Sequence, residues 1–265
     1  MSKGRVSLRE EWGKAGCRVL VAEAYRQNWI VQTCDCLPNT HIKSIFDNPH
    51  YVPAKKQGDV AAAIEICRVA LDKAYRTRVK LLLADFKLKG YGDPIFVAPC
   101  KPTSQNALAK TAASFLGKKL GIDVDTHIQE IPCPSRKDME RRDKFFQRPE
   151  FTGKVQKGRL YIMVDDMVTT GGTLAELRSY IVSQGGHVAF ACSLASADGM
   201  DTQLHPKQET LDRVERMFKT LGQAVRDCIQ NKAGLTPAAL TQAEAEFFGS
   251  ESGRHALKTM AQNLT

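Results

Sequence analysis

Two spacings of apolar residues alternate along the chain from residue 95 onward. Ile95-Phe96-Val97-Ala98 is a short unbroken apolar run, which predicts a buried strand. A loop over residues 99–104 follows, and Ser104 is placed to cap a helix with Leu108, Ala112, Phe115, Leu116 and Leu120 on one side. Gly121 is a natural end for it. Residues 124–131 predict the next strand and residues 160–164 another, in which Leu160, Ile162 and Val164 alternate. A helix over 173–184, a stop at Gly185-Gly186 and a strand over 187–194 complete the rhythm. Strands alternating with helices predict the α/β class, with a mainly parallel sheet flanked by helices. Ligands bind such sheets at the carboxyl ends of the strands. The loops at 99–104 and 165–173 therefore share one edge if their strands point the same way.

The flanks read differently. Val19-Leu20-Val21 and residues 29–33 predict short strands, with Pro38-Asn39 and Asn48-Pro49 as turns. Asp59 caps one long helix to about residue 87, with Val60, Ile64, Cys67, Leu71 and Ala74 facing the core. Beyond residue 195 the sheet rhythm fades into helices. One spans about 208–232 with Leu211, Val214, Phe218, Leu221, Val225 and Ile229 as its apolar stripe; another starts at Thr236-Pro237, and a short one follows Gly253. The expected division is 1–90, irregular strands and a long helix; 91–200, the α/β core; and 201–265, a helical extension. The extension is the best candidate for binding a partner or a second copy of the chain.

Composition narrows the class. The chain has 265 residues, 43% hydrophobic and 25% charged, ordinary for a globular protein. No apolar run approaches the roughly 20 residues of a membrane span, and no apolar leader follows Met1, so a cytoplasmic protein is expected. The eight cysteines are scattered and suit reduced thiols. Cys34 and Cys36 form a CxC pair near Cys17, His41 and His50, but no second pair completes a zinc site, so a surface pair of thiols in a β segment is the plainer reading. The formal charge of +9 suits a polyanionic small molecule or nucleic acid. No zinc-finger or aromatic-interleaved basic motif sharpens the second choice.

The chemistry concentrates at Leu160-Tyr161-Ile162-Met163-Val164-Asp165-Asp166-Met167-Val168-Thr169-Thr170-Gly171-Gly172-Thr173. A strand ends in two carboxylates, then turns through hydroxyls and glycines into a helix start. Backbone N–H groups converge in such a turn, and the helix dipole adds positive potential, so it holds a phosphate. Asp165 and Asp166 accept hydrogen bonds from sugar hydroxyls or stand near a divalent cation, directly or through water. Together these groups point to a sugar phosphate.

Residues 164–173 resemble the phosphoribosyl pyrophosphate (PRPP) signature of the type I phosphoribosyltransferases. The resemblance implies that family's fold, with residues 1–90 supplying a hood over an α/β core. It also implies Mg²⁺, and transfer of a 5-phosphoribosyl group to an acceptor, usually a base nitrogen, with release of pyrophosphate. It assigns PRPP binding to Asp165, Asp166, Met167, Val168, Thr169, Thr170, Gly171, Gly172 and Thr173. The 5′-phosphate falls at 169–173, and the ribose and catalysis at Asp165 and Asp166. A pyrophosphate contact carries over to Lys101, the only cation in its loop. The charged segment Ser135 to Lys144 lies where these enzymes carry a flexible loop, making Arg136, Lys137, Arg141 and Arg142 candidate contacts to the leaving group. Residues 96–194 are similar to the ComF-like branch, without the cysteine zinc ribbon with which its members begin. Thr169 stands where 6-oxopurine transferases carry an aspartate, so hypoxanthine and guanine are not the expected acceptors. A PRPP-binding regulator or orphan homologue without transfer activity and a nucleic-acid-associated protein are the alternatives left open, with a homodimer left open as the assembly.

Overall fold

The computed structural model describes residues 36–102, 104–131, 148–197, 203–220, 223 and 236–262. Five strands form one sheet: β1 (Cys36–His41), β2 (Pro94–Val97), β3 (Val124–Asp125), β6 (Leu160–Val168) and β7 (His187–Ser196). Their order is β1-β7-β6-β2-β3, and every neighbouring pair is parallel. The expected α/β class and parallel sheet are what the described residues form. A separate antiparallel ribbon joins β4 (Gln129–Glu130) to β5 (Phe151–Thr152). The single strand expected over 124–131 is thus divided, because Asp125 Oδ1 accepts the N–H of His127 at 2.7 Å and of Ile128 at 3.3 Å and turns the chain.

Strand β6 sits inside the sheet, and its pleat divides the core. Leu160, Ile162 and Val164 enter one apolar cluster, while Tyr161 and Met163 enter the other. The first face is covered by α3 (Val60–Ala70), α4 (Lys73–Leu88) and α5 (Leu108–Leu120); the second is covered by α6 (Gly172–Ser183). Complete burial on both faces is the usual state of parallel strands, and it explains the near-continuous apolar runs.

Several expectations are corrected. The helix from Asp59 breaks at Leu71, and a second N-cap, Asp72, accepts the Tyr75 N–H at 2.8 Å. The stripe holds at Cys67 and Leu71, but Val60 and Ala74 are exposed and Ile64 is half-buried, while Ala63, Ile66 and Ala70 join the core. Pro38-Asn39 lies within β1 rather than in a turn. That strand is at the sheet edge, where a residue lacking an N–H is tolerated. Cys36 is buried, not a surface thiol, while Cys34 lies outside the described residues. The predicted strands before residue 36 also lie outside them, as do Leu221, Val225 and Ile229.

The C-terminal elements have an apolar cluster of their own. Helix α7 (Gln208–Thr220), a 3-10 turn (Pro237–Ala239), α8 (Gln242–Phe248) and α9 (Glu251–Gln262) bury Val214, Met217, Phe218, Leu240, Phe248 and Leu257 together. Thr236 makes no side-chain cap; Thr241 does, in a capping box with Glu244. Gly253 lies inside α9, not before it, and a Cβ there would stand 2.1 Å from the Phe247 carbonyl oxygen.

Candidate functional site

The site is set by a reversal in strand order. From β2 the chain crosses through α5 to β3 on one side. From β6, which pairs with β2 on the other side, it crosses through α6 to β7. The loops after β2 and β6 therefore diverge and leave a crevice at the carboxyl edge. Since β2 and β6 are parallel, with Val97 opposite Met163, the two loops do share that edge.

Asp165 and Asp166 do not end the strand as expected but lie within β6, which runs on to Val168. The Asp166 N–H donates to Asp165 Oδ1 at 2.8 Å. Burial pushes the Asp165 carboxyl well above the usual carboxylate range, and the neighbouring Asp166 pushes the same way. Asp166 is buried, and two groups from other elements meet its Oδ2. The Lys55 ammonium makes an ion pair with it, and Asn106 Nδ2 donates at 3.1 Å. Lys55 comes from α2 (Tyr51–Lys56), which docks when the Ala107 N–H donates to the Ala54 carbonyl at 3.0 Å. Asn106 is held by its own turn, with Oδ1 accepting from the Leu108 N–H at 3.1 Å. Ser104 serves that turn, accepting the Asn106 N–H at 3.0 Å, and does not cap α5, which starts at Leu108.

Beyond the carboxylates, Met167 packs against the first core cluster and Val168 is buried in the second, so both side chains serve packing. Thr169 is exposed, while Thr170, Gly172 and Thr173 are half-buried. Gly171 has φ 71°, a left-handed conformation that glycine adopts without a Cβ clash, and helix α6 opens directly after it with no side-chain cap. The first N–H groups of α6 thus have no intrahelical acceptors, which is the arrangement that receives an anion. The C-terminal elements close one flank of this loop: Thr241 Oγ1 donates to the Thr170 carbonyl at 2.5 Å. A Cβ on Gly171 would lie 2.6 Å from Leu204 Cδ2.

Across the crevice, Lys101 Nζ lies 3.2 Å from Glu130 Oε1. The Glu130 N–H donates to the Cys100 carbonyl at 3.0 Å, which ties ribbon β4–β5 to the loop after β2. The Cys100 thiol is pushed up to about 11, mainly by burial; Lys110 opposes this, and Asp165, Asp166 and Glu130 add to it. The Ile131 N–H donates to the Glu150 carbonyl at 2.8 Å, which extends the pairing of β4 with β5. Arg136, Lys137, Arg141 and Arg142 lie outside the described residues.

Lys55, Asn106, Glu130 and Thr241 were not expected at the site. Asn106 had a signal, since Ser and Asn two residues apart before a helix favour local turns. Lys55 carries no local sequence signal for the site, and only the docking of α2 brings it to Asp166. Among the described residues no group of three or more side chains could hold a metal ion alone. Two adjacent carboxylates nonetheless fit the usual manner of Mg²⁺, which is bound through one or two carboxylates together with substrate phosphates.

No family model matches the chain. Protein TraN of Escherichia coli is 31% identical over 170 residues, covering 64% of this chain and 37% of that protein. An uncharacterized protein of Haemophilus influenzae is 28% identical over 159 residues, covering 60% of this chain and 34% of that protein. The chain thus spans little more than a third of these curated relatives.

Proposed function

We propose that the crevice binds PRPP and that the protein transfers its 5-phosphoribosyl group to an acceptor, as a phosphoribosyltransferase-like enzyme. One observation carries this reading: an acid pair near a parallel strand's carboxyl end, Asp166 buried and Asp165 half-buried, is followed by a left-handed glycine and an uncapped helix start. The 5′-phosphate receives the N–H groups of residues 171–173, with the Thr169 and Thr170 hydroxyls beside it. The ribose hydroxyls donate to Asp165 and Asp166. These carboxylates offset positive charge that develops on the sugar as pyrophosphate leaves. Asn106 and Lys55 orient Asp166. Asp165 and Asp166 would hold Mg²⁺ together with the substrate phosphates, and the ion would neutralise the leaving group. The acceptor is a nitrogenous base other than hypoxanthine or guanine, given Thr169.

One feature favours a second reading, binding without transfer. Lys101, the cation expected at the pyrophosphate, is engaged by Glu130. A panel of nitrogenous bases assayed for pyrophosphate release from PRPP separates the two. Release with one base supports transfer. PRPP binding with no release from any base supports a regulator.

A further inference from the structure

Helices α3 and α5 pack side by side, and a groove of about 490 Å³ runs between them. Val60, Ile64 and Arg68 border it from α3, and Lys110, Ser114 and Lys118 border it from α5. Each trio repeats every four residues, which keeps it on one helix face. Eight residues of helix make each border about 12 Å long. Half-buried Phe115 and Ile64 make the floor apolar, and Val60, 55% exposed, extends that apolar surface along the border. Arg68, Lys110, Lys118 and Lys119 line the groove, and no carboxylate does. Arg68 pairs with Glu65 of its own helix, and Lys119 stands 5.8 Å from the centre of the Phe115 ring. Lys110 and Lys118 make no ion pair among the described residues.

We propose that this groove docks an acidic amphipathic helix of a partner protein. Such a helix offers both complements at once. Apolar side chains three and four residues apart fill the floor, while carboxylates on its flanks meet the rim cations. A nucleic-acid duplex meets cations with phosphate and has no apolar ridge for the floor, so charge and shape together select the helix. None of these residues belongs to the acid pair or its loop, and the proposal stands apart from the PRPP reading.

The test uses the full chain and a labelled peptide of about 14 residues, with leucines at three- and four-residue steps and glutamates on the flanks. Comparison probes are its scrambled form, its Glu-to-Lys counterpart and a labelled single-stranded DNA, all followed by fluorescence anisotropy. The Glu peptide saturates and the scrambled one does not. The double variant K110E/K118E, at two exposed positions, keeps the parent's melting curve. It loses roughly tenfold or more in affinity for the Glu peptide and gains the Lys peptide. Three results overturn the proposal: no saturation by the Glu peptide, unchanged affinity in the variant, or equal binding of amphipathic and scrambled peptides. DNA binding that disappears in the same variant, without peptide binding, assigns the groove to nucleic acid instead.

Discussion

Asp165 and Asp166 are neighbours in sequence but occupy different electrostatic surroundings. Asp166 has a cation and an amide against it. Asp165 has burial and a like charge, and its carboxyl binds a proton more tightly in the folded chain than in the unfolded one. By linkage, its contribution to stability is most favourable at low pH. It falls as pH rises from the unfolded carboxylate range near about 4 up through the raised folded value. Asp165→Asn removes that loss, so the variant is more stable than the parent at neutral pH by about 0.5–2 kcal/mol, and the difference shrinks toward pH 4. Urea denaturation across pH measures it; a variant less stable at pH 7 contradicts the assignment. Lys55→Met leaves Asp166 buried with its charge partner removed, which costs about 1–3 kcal/mol at neutral pH. A melt unchanged from the parent shows that the pair is unimportant.

Among elements, the turn from β6 into α6 is the most constrained. Gly171→Ala imposes a left-handed conformation on a residue with a Cβ and pushes that atom toward Leu204. The expected cost is about 1–2 kcal/mol in chemical denaturation, with PRPP affinity reduced as well. Thr241 both caps α8 and holds the Thr170 carbonyl, so Thr241→Val loses two interactions, about 1–2 kcal/mol in all. Thr241→Ser keeps both hydroxyl roles and restores ligand affinity. Equal ligand affinity in Val and Ser variants shows that the C-terminal elements do not position the loop.

At the scale of the molecule, the sequence is most legible where burial is complete. β6 and β7 are apolar on both faces, and their runs announce them. The glycine-rich turn was equally plain, because few backbones other than a tight strand–helix connection require those residue types. Legibility fails where a position depends on distant contacts. The break at Leu71-Asp72 hides in an unbroken apolar spacing and is decided by a cap at Asp72. Lys55 reaches Asp166 across 111 residues of chain, and Thr241 reaches Thr170 across 71. No local pattern encodes either contact. The division of 124–131 follows from one buried carboxylate that turns the backbone. Helix α2 and the C-terminal elements thus reach the acid pair and its loop from segments outside the expected α/β core. Their packing against the crevice makes residues outside the core part of the site. Among the described residues, no helix is long and apolar enough to cross a membrane.

Isothermal titration of the full chain with PRPP and Mg²⁺ tests the sugar-phosphate site most directly. Saturable binding is expected, weakened about tenfold or more in Asp166→Asn, while the variant's far-ultraviolet spectrum matches the parent's. The absence of heat with ligand on the order of millimolar, or an Asp166→Asn affinity equal to the parent's, contradicts it.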